Sequence, residues 1–128
     1  MTDPVFLSDE QVIAIHAAMV VRYGGHPGIR DRGTLASAVA MPPAAFGGEF
    51  VHADVFEMAA AYLFHIVGNH PFIDGNKRAG AASAIVFLAI NGVEIDADED
   101  GLVEITMAVA QSEASKAQVA AFFRRIAT

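Results

Sequence analysis

The stretch "DVFEMAAAYLFHIVGNHPFIDGNKRAGAASAIVFLAINGVEI", residues 54–95, decides how this chain folds. Two apolar, alanine-rich segments flank the loop "HPFIDGNKR", residues 70–78, which packs a histidine, an aspartate, an asparagine, a lysine and an arginine together. The first segment predicts a helix. Asp54 can cap it, and Phe56, Ala60, Leu63 and Val67 keep helical spacing. Gly68 and Asn69 suit its C-terminal end. The second segment runs from Asn76 to Asn91-Gly92 and is nearly all apolar. A helix apolar on every side is usually buried at a domain's centre.

Outward from this pair, the remaining segments also read as helices. "LSDEQVIAIHAAMVVRYGG" opens with Ser8 and carries Gln11 three positions on, the spacing of a capping box. Val12, Ile15 and Met19 fall on one face, and Gly24-Gly25 end the run. "TLASAVAM" is a short helix with Thr34 as its cap, stopped by Pro42-Pro43. "PPAAFGGEFVHA" reads as an irregular connection with at most a short extended piece. "DADEDGLVEITMAVAQ" begins acidic, which suits a helix N-terminus. "SKAQVAAFFRRIAT" has Ser115 as cap, Arg124 and Arg125 in its last turns, and Phe122 and Phe123 for the core. The expectation is an all-α, single-domain bundle of about six helices over residues 1–128, with "VEI" as a stray strand at most.

Composition excludes several classes. At 128 residues, one real core is affordable, and 54% hydrophobic against 18% charged argues against disorder. The net charge of −7 disfavours coating DNA or RNA, whose phosphates repel an acidic surface. With no cysteine, disulfides, thiolate metal sites and cysteine nucleophiles drop out. "MTDPVFLSDEQ" lacks the basic-then-apolar pattern of a signal peptide, and "AGAASAIVFLAI" is only 12 residues long, short for a bilayer. The expectation is a soluble, cytoplasmic protein with no membrane and no direct nucleic-acid partner.

The loop's chemistry follows from its position. It runs directly into a helix, whose N-terminus offers unpaired N–H groups and partial positive charge to a phosphate. Gly75 permits positive φ, so Asp74-Gly75-Asn76 can form an anion-cradling nest. Lys77 and Arg78 add cations at the end where the helix dipole disfavours them. His70 has the pKa range of a general base, and Asp74 is a hard oxygen ligand suited to Mg2+. Phe72 is the loop's apolar anchor. Each residue also has a plain structural reading: His70 a helix C-cap, Asp74 an Asx turn or N-cap, Lys77 and Arg78 a solvated first turn. The two readings part on the cations, whose placement calls for compensation that a bound phosphate would supply.

"HPFIDGNKR" resembles the motif of the Fic/Doc family, HxFx[D/E]GN[G/K]R, at every defined position. "RYGGHPGIRDRGTLASAVAMPPAAFGGE" and "FLAINGVEI" are similar to the flanks of that motif in the death-on-curing (Doc) toxins, so the likeness covers nearly the whole chain. Lys77 stands where most Fic proteins carry glycine, as in Doc. Ala81 stands where most carry a second arginine, which Doc proteins lack. The resemblance implies a toxin that transfers the γ-phosphate of ATP, with Mg2+, to a threonine of elongation factor Tu. By position, His70 would take the hydroxyl proton and Asp74 would hold Mg2+. Gly75, Asn76, Lys77 and Arg78 would cradle phosphates, with Lys77 and Arg78 also neutralising charge on the transferring group. "PPAAFGGEF" lies where the family carries its target-aligning flap. The inhibitory pattern [S/T]xxxE[G/N] of many Fic proteins is absent, so restraint would come from a Phd-type antitoxin. The alternatives are AMP transfer of the ordinary Fic type, a catalytically silent binding module, and a DNA-binding helical repressor, the last disfavoured by charge.

The other histidines carry weaker signals. His16, His52 and His65 read as structural, and His26 as a loop residue without a ligand-spaced partner. "RDR", residues 30–32, reads as a salt-bridged loop.

Overall fold

The computed structural model describes residues 3–128. Met1 and Thr2, the start of the N-terminal segment weighed above, lie outside the described residues. Six helices carry the fold: α1 (Asp9–Tyr23), α2 (Arg32–Ala40), α3 (Val55–Asn69), α4 (Asn76–Ile90), α5 (Glu99–Ala110) and α6 (Lys116–Ile126). A two-stranded antiparallel hairpin, β1 (Ala45–Phe46) and β2 (Glu49–Phe50), lies between α2 and α3.

Local sequence explains the helix starts. Ser8 and Ser115 both form complete capping boxes, with Gln11 and Gln118. Asp54 caps α3 and Asp98 caps α5, each through its carboxylate. The cap of α2 is not Thr34. Asp31 caps it instead, accepting from Gly33 and Thr34 backbone N–H groups, so the helix starts three residues earlier than a cap at Thr34 would place it. The irregular connection contains a tight turn: Gly47 and Gly48 both have positive φ, 60° and 83°, as a two-residue hairpin of the I′ kind requires.

The centre is α3 rather than α4. Met58 through Leu63, with Ile66 and Val67, are buried on all sides of α3, which packs against α2, α4, α5 and α6. In α4 only Asn76, Ala79, Gly80, Ser83, Ala84, Phe87 and Leu88 are buried, while Ile90 is exposed. The apolar run of α4 therefore covers α3 and receives α1, leaving a stripe at the surface. Small residues let α3 and α4 approach closely. A Cβ on Gly80 would stand 2.9 Å from Val67 Cγ2 and 3.2 Å from the Leu63 carbonyl. Tyr62 is buried and ties the N-terminal segment to α3: the Leu7 N–H donates to its hydroxyl at 2.8 Å. Burial pushes its phenol up to about 12. The "VEI" stretch makes one isolated bridge, Ile95 with Ala127, which fastens the C-terminus. Among the described residues no helix is long and apolar enough to cross a membrane.

Candidate active site

The site sits at the corner between α3 and α4. Helix α3 ends because His70 turns into the left-handed region, φ 53° and ψ 52°, and Pro71 cannot extend a helix. The loop that follows is fastened from two sides. On one side lies the segment after α1: Arg30 and Asp31 N–H groups both donate to the Pro71 carbonyl, Ile29 pairs with Phe72 as an antiparallel bridge, and Ile73 N–H donates to the Gly28 carbonyl. On the other side lies α1 itself. Phe72 is fully buried and stacks flat on the His16 ring, centroids 3.8 Å apart and planes 3° apart. The same imidazole donates from Nε2 to the Asp74 carbonyl at 2.7 Å.

Asn76 closes the loop on itself. Its Oδ1 accepts from Phe72 N–H at 2.9 Å and its Nδ2 donates to the Phe72 carbonyl at 2.9 Å. The side chain is buried with both its amide oxygen and its amide nitrogen engaged, so the backbone N–H is the group it presents to a phosphate. Gly75, at φ 80°, is the N-cap of α4 and supplies no side-chain cap. The N–H groups of Asn76, Lys77 and Arg78 precede the first helical bond, Ala79 N–H to Gly75 carbonyl, and point out of the helix end. No acidic residue stands in that first turn. Lys77 and Arg78 are exposed there, and the Arg78 guanidinium lies over the Tyr23 ring, 4.7 Å from its centroid.

The Asp74 carboxylate is exposed but aimed. Oδ1 accepts from Gly75 N–H at 2.9 Å, and Oδ2 from His26 N–H at 3.2 Å. Each oxygen keeps a further lone pair outward. Among the described residues no group of three or more His, Asp or Glu could hold a metal ion. One carboxylate beside unpaired helix N–H groups suits Mg2+, which keeps waters and takes its other ligands from a bound nucleotide. Gly25 leaves room for this arrangement: a Cβ there would stand 2.7 Å from Asp74 Oδ2.

The structure thus brings His70, Asp74, Gly75, Lys77 and Arg78 to one corner, with Phe72 and Asn76 turned inward. Ala81, one turn into α4, is partly buried against the core. His26 is not isolated. Its backbone holds Asp74, and its Nδ1 accepts from Gly28 N–H at 2.9 Å. Among the described residues the 30–32 loop is salt-bridged through Arg32 alone, to Glu10 at 3.3 Å between exposed side chains. Arg30 instead donates to two main-chain carbonyls of the corner, His70 at 2.7 Å and Asn69 at 3.0 Å. Local sequence carries no signal for these contacts, which join residues some forty positions apart.

A model of the Fic/DOC family matches residues 6–88. "Protein kinase doc" of Escherichia phage P1 is 38% identical over 120 residues, spanning 94% of both chains. "Toxin Doc" of Mycolicibacterium smegmatis is 40% identical over 95 residues, 74% of this chain and 71% of that protein. A motif loop held at the α3–α4 corner and sequence likeness along nearly the full chain lead to one conclusion: this chain belongs to the Fic/Doc family.

Proposed function

We propose that the chain is a Doc-type toxin and a protein kinase, moving the γ-phosphate of ATP to a protein hydroxyl. The observation that supports this most is the open N-terminus of α4. Three N–H groups, two cations and no carboxylate in its first turn form a place for phosphate, beside His70 and Asp74. His70 would accept the hydroxyl proton as the oxygen attacks the γ-phosphorus. The bond from that phosphorus to the bridging oxygen breaks, and ADP leaves. Lys77, Arg78 and the N–H groups neutralise charge on the phosphoryl oxygens as it builds, which is positioning plus electrostatics. Asp74 would hold Mg2+, which screens the same oxygens.

Two features favour γ-phosphoryl over AMP transfer. Ala81 leaves the first turns of α4 without a second arginine, and the phage relative bears the name protein kinase. The acceptor we propose is a threonine of elongation factor Tu, and restraint comes from a Phd-type antitoxin whose helix docks on the toxin. The hairpin β1–β2 supports a peptide acceptor. It is exposed, with Phe46 at 86%, and an extended target segment could align against it by strand addition.

ATP labelled separately at its α- and γ-phosphates, with Mg2+ and purified elongation factor Tu, tests this. The expected result is transfer of γ-label alone, abolished in His70→Ala with the fold intact. Transfer of α-label would make the chain an adenylyltransferase. Absence of both labels would remove elongation factor Tu as the acceptor and favour a silent binding module.

A further inference from the structure

We propose that Arg30 is the positioning residue for His70: its side chain fixes the backbone from which the base projects. The proposal rests on the phosphoryl-transfer reading, which gives His70 a task that needs a fixed ring. Arg30 sits outside the motif, 40 positions before His70.

The geometry is that of a clamp. Nε of Arg30 donates to the His70 carbonyl at 2.7 Å, and a terminal nitrogen donates to the Asn69 carbonyl at 3.0 Å. The backbone N–H of the same residue donates to the Pro71 carbonyl at 2.8 Å. Three consecutive carbonyls, Asn69, His70 and Pro71, are therefore held by one residue. They lie at the C-terminus of α3, where carbonyls lack helical partners and the dipole favours a cation. Among the described residues the ion pairs involve Arg32 and Arg124, and Arg30 makes none. In a chain of net charge −7, a guanidinium spent on main-chain oxygens alone has a backbone to hold.

His70 needs holding. It is not glycine, yet it occupies the left-handed region, at φ 53°, which its Cβ disfavours and which its surroundings must therefore enforce. Among the described residues its imidazole has no hydrogen-bond partner. Among the described residues the histidine rings that make hydrogen bonds are those of His16, His26 and His65. The point from which the His70 ring projects, and the range it can sweep, are therefore inherited from its Cα–Cβ bond, and that bond follows the carbonyl Arg30 grips. By contrast, the phosphate cradle at the start of α4 is set by Gly75 and Asn76 and does not touch Arg30. Loss of Arg30 should separate the two, slowing transfer and sparing nucleotide binding.

The test uses the full chain as wild type, Arg30→Ala and Arg30→Lys. Three quantities are measured: the single-turnover rate of γ-phosphate transfer, the Kd for Mg-ATP by titration, and the NMR signals of isotopically labelled His70. For Arg30→Ala we expect transfer slowed about a hundredfold, the cost of a misplaced reacting group. Mg-ATP affinity should stay within about twofold of wild type, because the interaction lost serves the transition state. The His70 ring signals should broaden or split as the residue samples more than one backbone conformation. Arg30→Lys, with one donor geometry in place of two, should fall between. A wild-type rate in Arg30→Ala would overturn the proposal, as would a slowed rate with an unchanged His70 spectrum. If the wild type itself transfers nothing, the phosphoryl-transfer reading fails separately. The His70 spectrum of the variants then decides whether Arg30 holds that residue. If Arg30→Ala does not fold, Arg30→Lys carries the same comparison.

Discussion

Residues of the motif divide by what they hold. Asn76 looks like a phosphate ligand in a linear reading, yet its amide is spent on both main-chain groups of Phe72. Lys77, its neighbour, is exposed and free to meet a ligand. Their alanine variants should therefore fail differently. Asn76→Ala leaves a buried N–H and a buried carbonyl unpaired, and should lower unfolding free energy by about 2–5 kcal/mol. Lys77→Ala should leave stability within about 0.5 kcal/mol and weaken Mg-ATP binding. Urea unfolding and nucleotide titration of both variants check this. Equal stability of the two would show that the Asn76 bonds contribute nothing net. The motif was legible because its residue types and spacing are local. The supports at His16, His26 and Arg30 were not, because each reaches the loop across 40 or more positions. Asp31 was overlooked as a cap for a different reason. Its helix begins with Arg32 and Gly33, which carry no apolar periodicity.

Among the elements, the α3–α4 contact decides whether the corner has its shape. Helix propensity would favour alanine over Gly80 by about 1 kcal/mol. The contact argues the other way, since a Cβ would press on Val67 at 2.9 Å and on the Leu63 backbone at 3.2 Å. Overpacking costs about 1–3 kcal/mol, so Gly80→Ala should destabilise by on the order of 1 kcal/mol net. Val67→Ala removes the tighter of the two contacts. The double variant should then lose less stability than the sum of the singles, which thermal unfolding of all three would show. Strict additivity would mean that the helices slide apart without strain. Periodicity located α3 and α4 correctly but could not rank their burial. Both are apolar enough to be central, and only the packing of α2, α5 and α6 around α3 separates them. The hairpin was hidden because strands of two residues leave no alternation to detect.

At the scale of the molecule, acid tolerance is set away from the motif. His65 and Lys116 join α3 to α6, the Lys116 ammonium donating to His65 Nε2 at 3.0 Å. Burial, with help from Lys116 and His52, lowers the His65 imidazole to about 4. His52, buried beside them, is lowered too, chiefly by burial. The unfolded chain protonates a histidine near pH 6.5, so between roughly pH 6.5 and 4 it binds protons that the native state refuses. Stability should therefore be full above that window and fall as the pH drops through it. Solvent reaches this partly open site, which limits the loss from His65 to on the order of 2 kcal/mol. His65→Gln keeps an acceptor for Lys116 and removes the titration. Its urea midpoints at neutral and mildly acid pH should lie closer together than those of the wild type. An unchanged difference would assign the acid sensitivity to other groups.

The family model spans residues 6–88 and stops within α4, while likeness to the phage relative runs over 120 residues, and every side chain at the corner comes from α1 through the first turn of α4. Helix α6 packs on α3, and α5 packs on both α3 and α4, yet neither supplies a side chain to the corner. The chain thus divides into a part that builds the corner and a C-terminal buttress behind it. Substitutions on the outer faces of α5 and α6 would change what that surface meets without touching a side chain of the corner.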